Sequence, residues 1–570
     1  MEPNTPWLSS YGDVPFHLEY PDLSMSDLVL DTAAQHPTLT ALSFMGNKTS
    51  YDEMAKQIEK TAKAFAALGI GEGNRVTLCL PNIPQTVYCL YALNRIGAVV
   101  SMIHPLSAEA EILFYLKEVE STYVVTLDQF FWKFEQVQKQ YSIKKLIVTS
   151  VADALIPIQK TAYRITLGRK FSKISNSETV LSWKQFLDGG KNAPEKYILH
   201  KKGTDPAVIL FSGGTTGVTK GILLSNRNFN ALALQTIAMC YEPVFGGKML
   251  AAMPMFHGFG LGVCVHTVLV AGAESILVPR FNVREYAKLV KKQRPNFIAG
   301  VPTLFEALTR DPSLNRANLN CLRGVFSGGD SLSVELKKKF DRFLDTHHSP
   351  VHIREGYGTT ECVTASCLTP YHKEKEGSIG LPYPDTYYKI CTPDTTQELP
   401  FGEEGEICLT GPSVMLGYLN HPEENAKTLR THEDGRVWLH TGDLGKMDEE
   451  GFIYFRQRIK RMIISSGYNI YPSQIENILD AHPAVRMSCV IGVKDDYRMQ
   501  KVKAFIVLKQ GTEPSEETKR ELLAYCKKRI AKYAMPYEIE FRESLPQTLV
   551  GKVAYTVLEK EEAEKESISV

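Results

Sequence analysis

Charge of one sign is missing from this sequence: 65 basic side chains face 64 acidic ones, a net charge of +1 over 570 residues. That balance gives no electrostatic case for a nucleic-acid partner. Cys-x-x-Cys pairs are missing too. The 11 cysteines fall at irregular intervals, and the closest two, Cys362 and Cys367, have no His or second Cys pair at zinc-like spacing beside them. They read as reduced, packing thiols of a cytoplasmic protein. The N-terminal stretch MEPNTPWLSSYGDV carries early acids and no apolar core, so no secretory signal is expected. No long apolar run is free of polar groups. The most apolar stretch, FGLGVCVHTVLVAGAESILV (259–278), holds His266 and Glu274 and reads as a buried helix followed by a strand. Hydrophobic residues at 44% and charged residues at 23% fit an ordinary globular chain.

What the sequence does have is alternation. From about residue 50 to 350, helical patterns alternate with the apolar runs VTLCL (76–80), AVVSM (98–102), YVVTL (123–127), KLIVT (145–149), AVILF (207–211), SILV (275–278), NFIAG (296–300) and GVFS (324–327). Such runs suit strands buried on both faces, in parallel sheets covered by helices. The large N-terminal part is therefore predicted to be α/β. After Asn226 and Asn228, which can cap, Phe229, Leu232, Ala233 and Ile237 recur at helical spacing. Between about 385 and 457, shorter apolar runs separated by Gly, Pro and Asp predict a β subdomain. A boundary is expected near 459, dividing a large domain (1–459) from a small α+β domain (460–570). Residues 150–200 break the pattern. There RITLGRKFSKI (164–174) sets Arg164, Arg169, Lys170 and Lys173 among apolar residues. It reads as a solvated surface element, or as a basic amphipathic one resting peripherally on anionic lipid at a membrane's cytoplasmic face.

The loop FSGGTTGVTKG (211–221) looks built for phosphate. Its glycines let backbone N–H groups converge on an anion, Thr215, Thr216 and Thr219 add hydroxyls, and Lys220 adds a positive charge. The Gly-Lys-Ser/Thr ending of a Walker loop is absent, and the flanking runs AVILF and GILLS set the loop between two strands rather than before a helix. Alone, such a loop is either a phosphate cradle or a turn.

Later segments offer matching chemistry. Ser327-Gly328-Gly329-Asp330 ends an apolar run, where the glycine pair lets a ligand approach the backbone. In EGYGTTE (355–361), Tyr357 offers a flat face for a base, Thr360 a hydroxyl and Glu361 a hard carboxylate oxygen suited to Mg2+. Asp443, in WLHTGDLG (438–445), is a carboxylate fit for two ribose hydroxyls, and Arg458 stands at the opening of the small domain. Lys552, in LPQTLVGKVAY (545–555), follows a Gly on what is read as a projecting loop. Singly, Asp443 also suits a turn cap, Glu361 a surface ion pair and Lys552 plain solvation.

In their order these segments resemble the adenylate-forming superfamily of acyl-CoA synthetases, firefly luciferases and peptide-synthetase adenylation domains, and most of all bacterial fatty-acid–CoA ligases. FSGGTTGVTKG, PMFHGFG (254–260), SGGD, GYGTTE, GEICLTGPSVMLGYLN (405–420), HTGDLG, RIKRMIISSGYNIYP (458–472) and PQTLVGK all match. The resemblance covers about residues 25–560, apart from 150–200. It implies that Ser212, Gly213, Gly214, Thr215, Thr216, Gly217 and Lys220 hold the β- and γ-phosphates of ATP. Gly328, Gly329, Asp330, Tyr357 and Gly358 would surround the adenine end, Thr360 would meet the α-phosphate, and Glu361 would bind Mg2+. Asp443 and Arg458 would take the ribose, and Lys552 would reach both the α-phosphate and the acid carboxylate. Lys460 falls at the family's hinge, about which a small mobile domain turns between two half-reactions. His257 matches a position between acyl pocket and pantetheine tunnel; a packed core histidine is its other reading. Phe259, Gly260, Gly262 and Gly300 would line the acyl pocket, the small residues leaving room for a long or bulky acid. Gly467 and Tyr468 would face coenzyme A.

The function this implies is an ATP- and Mg2+-dependent acid:CoA ligase working through an acyl-adenylate. Its partners would be a small-molecule carboxylic acid, ATP and CoA. A medium- or long-chain fatty acid is the expected acid; an aryl or bile acid is the alternative. Transfer to a separate carrier protein is another, since the 18 residues after Lys552 (553–570) are too few for a carrier domain within this chain. Three positions depart from the family pattern: Gln457, where Gly or Asp is commoner, Arg461, where Asp is frequent, and Val550, where Ser often precedes Gly-Lys. Arg461 is expected to alter charge pairing at the hinge.

Overall fold

The computed structural model describes residues 4–166, 177–211, 219–465, 468–495, 498–548 and 552–568. All eight apolar runs named above become strands of two large sheets. In the first, the order is Gly417–Tyr418, Gly221–Ser225, Pro206–Phe211, Val99–Met102, Arg75–Cys79, Tyr123–Leu127, Lys145–Thr149 and Val180–Ser182. From Pro206–Phe211 onward every pairing in it is parallel. In the second, Ile353–Tyr357, Gly324–Ser327, Phe297–Gly300, Lys248–Ala251, Glu274–Leu277 and Thr40–Phe44 run parallel side by side. Asn47–Ser50 closes one edge as a hairpin. That hairpin escapes the sequence reading because NKTS carries no apolar residue. Both sheets feed one hydrophobic cluster, which joins Val76, Leu78 and Val100 to Leu250, Ile298 and Val325.

The helix foreseen after residue 226 spans Asn226–Met239, but its cap is Ser225 rather than an asparagine. Ser225 is extended, and its hydroxyl accepts from Asn228 N–H; Asn228 Oδ1 accepts from Ser225 N–H at 2.8 Å. The two form a reciprocal capping box. The most apolar stretch folds as expected, with widely wound helix over Phe259–His266, α-helix over Thr267–Val270 and strand over Glu274–Leu277. Its polar groups are satisfied inside: His266 meets the Tyr91 hydroxyl and Asn230 Oδ1, each at 3.0 Å, and Ser43 donates to Glu274 at 2.6 Å. Among the described residues no helix is long and apolar enough to cross a membrane. The basic element read at 164–174 lies outside them from 167 onward, as does the side chain of Arg164. All 11 cysteines are free, and all but Cys240 and Cys321 are buried.

A third, antiparallel sheet follows, built from Tyr387–Cys391, Gly405–Thr410, Val437–Met447, Leu429–Thr431 and Ile453–Arg458. Because side chains alternate along a strand, its two faces differ. Ile407, Leu409 and Leu439 join the main core, whereas Cys391, Cys408 and Trp438 pack together apart from it. The fourth sheet comprises Tyr468–Ile470, Ile463–Ser465, Met499–Leu508, Val485–Asp495 and Glu538–Phe541, with helices Pro472–Asp480 and Glu516–Lys527 beside it. Its cores run from Ile463 to Ile539 and from Cys489 to Leu558. Among the described residues the main core reaches no further than Ile453.

Candidate active site

The phosphate loop joins antiparallel strands, as its flanks suggest, with Phe211 opposite Gly221. Ser212, Gly213, Gly214, Thr215, Thr216 and Gly217 themselves lie outside the described residues. Lys220, at the loop's end, pairs with Glu424 and stands 4.6 Å from the centre of the Tyr418 ring. Tyr418 lies opposite Ile222 on the adjoining strand, which explains the stacking. Its hydroxyl donates to Glu361 Oε1 at 2.8 Å. Glu424, Lys220, Tyr418 and Glu361 thus form one chain of contacts leading away from the loop. The sequence reading singled out neither Tyr418 nor Glu424; the available signal was the matching GYLN segment and the acids just after it.

Tyr357 ends the outermost strand of the second sheet's parallel run, and Thr360 and Glu361 follow on the short helical turn Thr360–Cys362. Thr360 and Glu361 are both partly exposed. Val363 then takes φ +66°, in the left-handed region that a β-branched residue enters only with strain of about 1–3 kcal/mol. Neighbouring backbone holds it there. A Cβ placed on Gly258 would lie 1.6 Å from the Val363 carbonyl oxygen, and one on Gly358 would lie 2.1 Å from that of Thr364. The PMFHGFG segment therefore meets the main chain at Val363, two residues past GYGTTE, and Gly358 packs on the same stretch.

Asp443 sits at the centre of a compact triad. The Tyr357 hydroxyl donates to its Oδ2 at 2.6 Å, and Arg458 Nε lies 2.9 Å from its Oδ1. Asp443 and Arg458 are opposite partners on adjacent strands, so the sheet register sets this pair. Oδ1 nevertheless accepts no aligned hydrogen bond within the chain. Asp443 is 1% exposed. Burial drives its carboxyl upward against the Arg458 guanidinium, while the Asp443 charge tightens Arg458's own hold on its proton.

Of the projecting loop expected to carry Lys552, residues 549–551 lie outside the described residues. The Lys552 side chain reaches the Gly329 turn: Cε is 3.5 Å from where a Cβ on Gly329 would stand, and Gly329 has φ +83°. Lys552 N donates to Thr548 Oγ1 at 3.2 Å and Thr548 N to Lys552 O at 2.7 Å, fixing the base of the hairpin. Burial pulls the ammonium below its ordinary range, with Asp330 opposing and Arg458 reinforcing. Asp443 and Glu361 also act on it. Gly328 faces the same space; a Cβ there would come 3.2 Å from Gly356 O and 3.6 Å from the Phe259 ring. Burial and the nearby Lys552 charge push His257 down to about 3, so the ring is neutral and its Nδ1 accepts from Phe259 N at 3.2 Å.

The glycines expected to leave room for an acid do not leave it. A Cβ on Gly260 would lie 2.2 Å from Pro254 O, one on Gly262 2.5 Å from Leu232 Cδ2, and one on Gly300 2.3 Å from Leu304 Cδ2. Protein already fills that space, so these glycines serve close packing. Lys460 lies in the turn Ile459–Arg461, between the third and fourth sheets. Arg461, beside it, is paired within the part of the chain that follows. It binds Glu476 of the helix Pro472–Asp480, and its guanidinium lies 4.9 Å from the centre of the Tyr555 ring. Gly467 lies outside the described residues, and of Tyr468 only the backbone, starting the strand Tyr468–Ile470, is described.

The two parts of this site match known sequence families. The model for AMP-binding enzymes covers residues 29–419, and that for the AMP-binding enzyme C-terminal domain covers 474–552. The chain belongs to the AMP-binding enzyme family. Within that family, a long-chain-fatty-acid–CoA ligase of Bacillus subtilis is 36% identical, with 100% of both chains covered. One from Escherichia coli O6:H1 is 31% identical over 96% of each. Among solved structures, ATP-bound MatB from Rhodopseudomonas palustris superposes with a TM-score of 0.81 at 25% identity, covering 95% of this chain and 99% of that one. This AMP-binding enzyme therefore shares its fold, over nearly its whole length, with ATP-bound MatB.

Proposed function

We propose that this AMP-binding enzyme is an acid:CoA ligase that activates a medium- or long-chain fatty acid as its acyl-adenylate and then forms the CoA thioester. The observation that carries the proposal is convergence: Lys552 from the last sheet faces Gly329, Asp330 and the Tyr357–Asp443–Arg458 triad of the preceding ones. Full-length relatives that are long-chain-fatty-acid–CoA ligases supply the choice of acid.

The chemistry follows from charge. A carboxylate oxygen must bond to the α-phosphorus of ATP while the bond to pyrophosphate breaks, and negative charge grows on both. Catalysis is then mostly positioning and electrostatic stabilisation. In this reading, the loop 212–217 and Lys220 hold the departing phosphates, and Lys220 exchanges Glu424 for them. Thr360 and Lys552 meet the α-phosphate. Gly328, Gly329, Asp330, Tyr357 and Gly358 bound the adenine end. Asp443, whose Oδ1 has a lone pair to spare, takes ribose hydroxyls beside Arg458. Glu361 offers the hard oxygen that Mg2+ prefers, and the ion would neutralise phosphate charge. The second step exchanges the acyl–phosphate bond for an acyl–sulfur bond and releases AMP. It needs Lys552 withdrawn, which a division into domains at 459/460 with Lys460 at the hinge allows, and CoA would then approach past His257, Gly467 and Tyr468.

The test is ATP–pyrophosphate exchange without CoA, run with acetate, octanoate, palmitate and cinnamate. Exchange should depend on acid, not on CoA, and be fastest with the two fatty acids of eight carbons or more. Exchange that requires CoA would sink the two-step route; preference for acetate or cinnamate would sink the choice of acid.

A further inference from the structure

The outer face of the third sheet holds a second concentration of reactive side chains that the ligase reaction does not use. Register places Lys389 opposite Cys408 and Cys391 opposite Glu406, and Cys408 opposite His440. Since opposite residues share a face, all five side chains project to the same side. His440 Nδ1 is 2.8 Å from Glu406 Oε2 and 3.5 Å from Cys408 Sγ, and one ligand atom from each of these three residues lies within 4.8 Å of the others. The Cys391 and Cys408 side chains pack against Trp438. Both cysteines are wholly buried, and Glu406 and His440 nearly so.

We propose that Glu406, Cys408 and His440 form a binding site for a thiophilic divalent cation of the zinc class. The donor set is one sulfur, one imidazole nitrogen and one carboxylate oxygen, three ligands of the kinds that zinc takes in a tetrahedron whose fourth position is left to solvent or a neighbouring side chain. A tetrahedron with zinc–ligand bonds near 2.0–2.3 Å has edges of about 3.5 Å, the spacing already present between His440 Nδ1 and Cys408 Sγ. The outer atoms of the ligands are held as well. His440 Nε2 lies 2.9 Å from Nε2 of buried His432, and Glu406 Oε1 accepts from Gly442 N at 2.9 Å. Metal-bound histidines and carboxylates are oriented by this kind of support. The site's own charge also balances: one thiolate, one carboxylate and a divalent cation sum to zero. Lys389 stands apart from that sum, nearly buried with its Nζ 4.1 Å from the centre of the Trp438 ring. His432 carries a buried Nδ1 with no partner, so the cluster is not a finished hydrogen-bond network. The site adjoins the bulge at Thr441–Gly442 in the strand Val437–Met447, where Gly442 takes φ +69° just before Asp443, and the cation would brace that bulge.

The experiment is a Co2+ titration of full-length protein, chelator-stripped and kept reduced. We expect a saturating thiolate-to-cobalt charge-transfer band with tetrahedral d–d bands at a single equivalent, erased by a single equivalent of Zn2+. Cys408→Ser should erase the charge-transfer band, and Cys391→Ser should keep it. His432→Ala, which removes support but no ligand, should weaken binding about 10- to 100-fold while leaving the band shape unchanged. The wild-type titration decides the matter even if a variant fails to fold. An octahedral spectrum without a thiolate band, or a band unchanged in Cys408→Ser, overturns the site. So does a Cys391–Cys408 disulfide found by mass spectrometry in protein lysed under thiol-blocking conditions, which would give the pair to redox chemistry.

Discussion

Replacing Asp443 by Asn keeps the shape of the ribose site and removes its charge. In the folded chain Asp443 accepts from Tyr357 at 2.6 Å and lies 2.9 Å from Arg458. Asn retains an oxygen for Tyr357 but turns an NH2 group toward one of the two hydroxyls that the carboxylate would accept. Losing one charge-assisted hydrogen bond and weakening another costs about 3 kcal/mol at the nucleotide, or roughly 100-fold in KM for ATP. Stability should fall far less, by about 1 kcal/mol, because the Arg458 side chain is 43% exposed and water screens its lost partner. The assay is acid-dependent exchange with ATP, 2′-deoxyATP and 3′-deoxyATP, with thermal melting alongside. Wild type should distinguish ATP from both deoxy forms, and the variant should scarcely do so. An equal penalty on all three nucleotides would mean that Asp443 does not meet the ribose hydroxyls.

Lys552→Ala should slow adenylate formation about 100- to 1,000-fold yet spare thioester formation from a supplied acyl-adenylate; equal loss in both steps removes its assigned role. Burial raises the carboxyl of Glu355 from its ordinary 4.5 to about 8, with Oε1 accepting from Leu332 N at 3.1 Å. The folded chain therefore keeps a proton that the unfolded chain loses, and Glu355 takes stability away as pH rises from about 4.5 to about 8. Glu355→Gln should melt increasingly above wild type across that window; parallel melting curves would show that no proton is held. Gly258→Ala, whose Cβ would overlap Val363 O, should destabilise by about 3 kcal/mol, while Gly189→Ala, with nothing within 4 Å of its added Cβ, should be near neutral. Similar melting of both would show that the contact between these loops yields easily.

The sequence was most legible where one local signal decides the outcome. Apolar runs such as YVVTL and KLIVT became strands over the same residues, Tyr123–Leu127 and Lys145–Thr149, because a strand buried on both faces admits no other pattern. The Gly/Thr loop was placed between strands by its flanks alone. Legibility failed where distant segments meet. Tyr418 reaches Glu361 only because a two-residue strand pairs with Gly221–Ser225, and nothing local marks so short a pairing. Gly260 and Gly262 looked like vacant space because a sequence shows the missing side chain but not the Pro254 carbonyl or Leu232 methyl occupying its place. Lys552 owed its expected role to the resemblance alone, because nothing local in LPQTLVGKVAY marks the Gly329 turn beside its side chain.

Among the described residues separate hydrophobic cores lie on either side of residue 459, and we expect the enzyme to be divisible there. A chain cut between Ile459 and Lys460 would leave Lys552 on a fragment with interior packing of its own, and the Tyr357–Asp443–Arg458 triad intact on the other. Mixed together, the fragments should recover adenylate formation in proportion to their concentration, since the covalent link contributes mainly an effective local concentration of Lys552. Fused to two other proteins, the halves would report the meeting of those proteins as release of pyrophosphate.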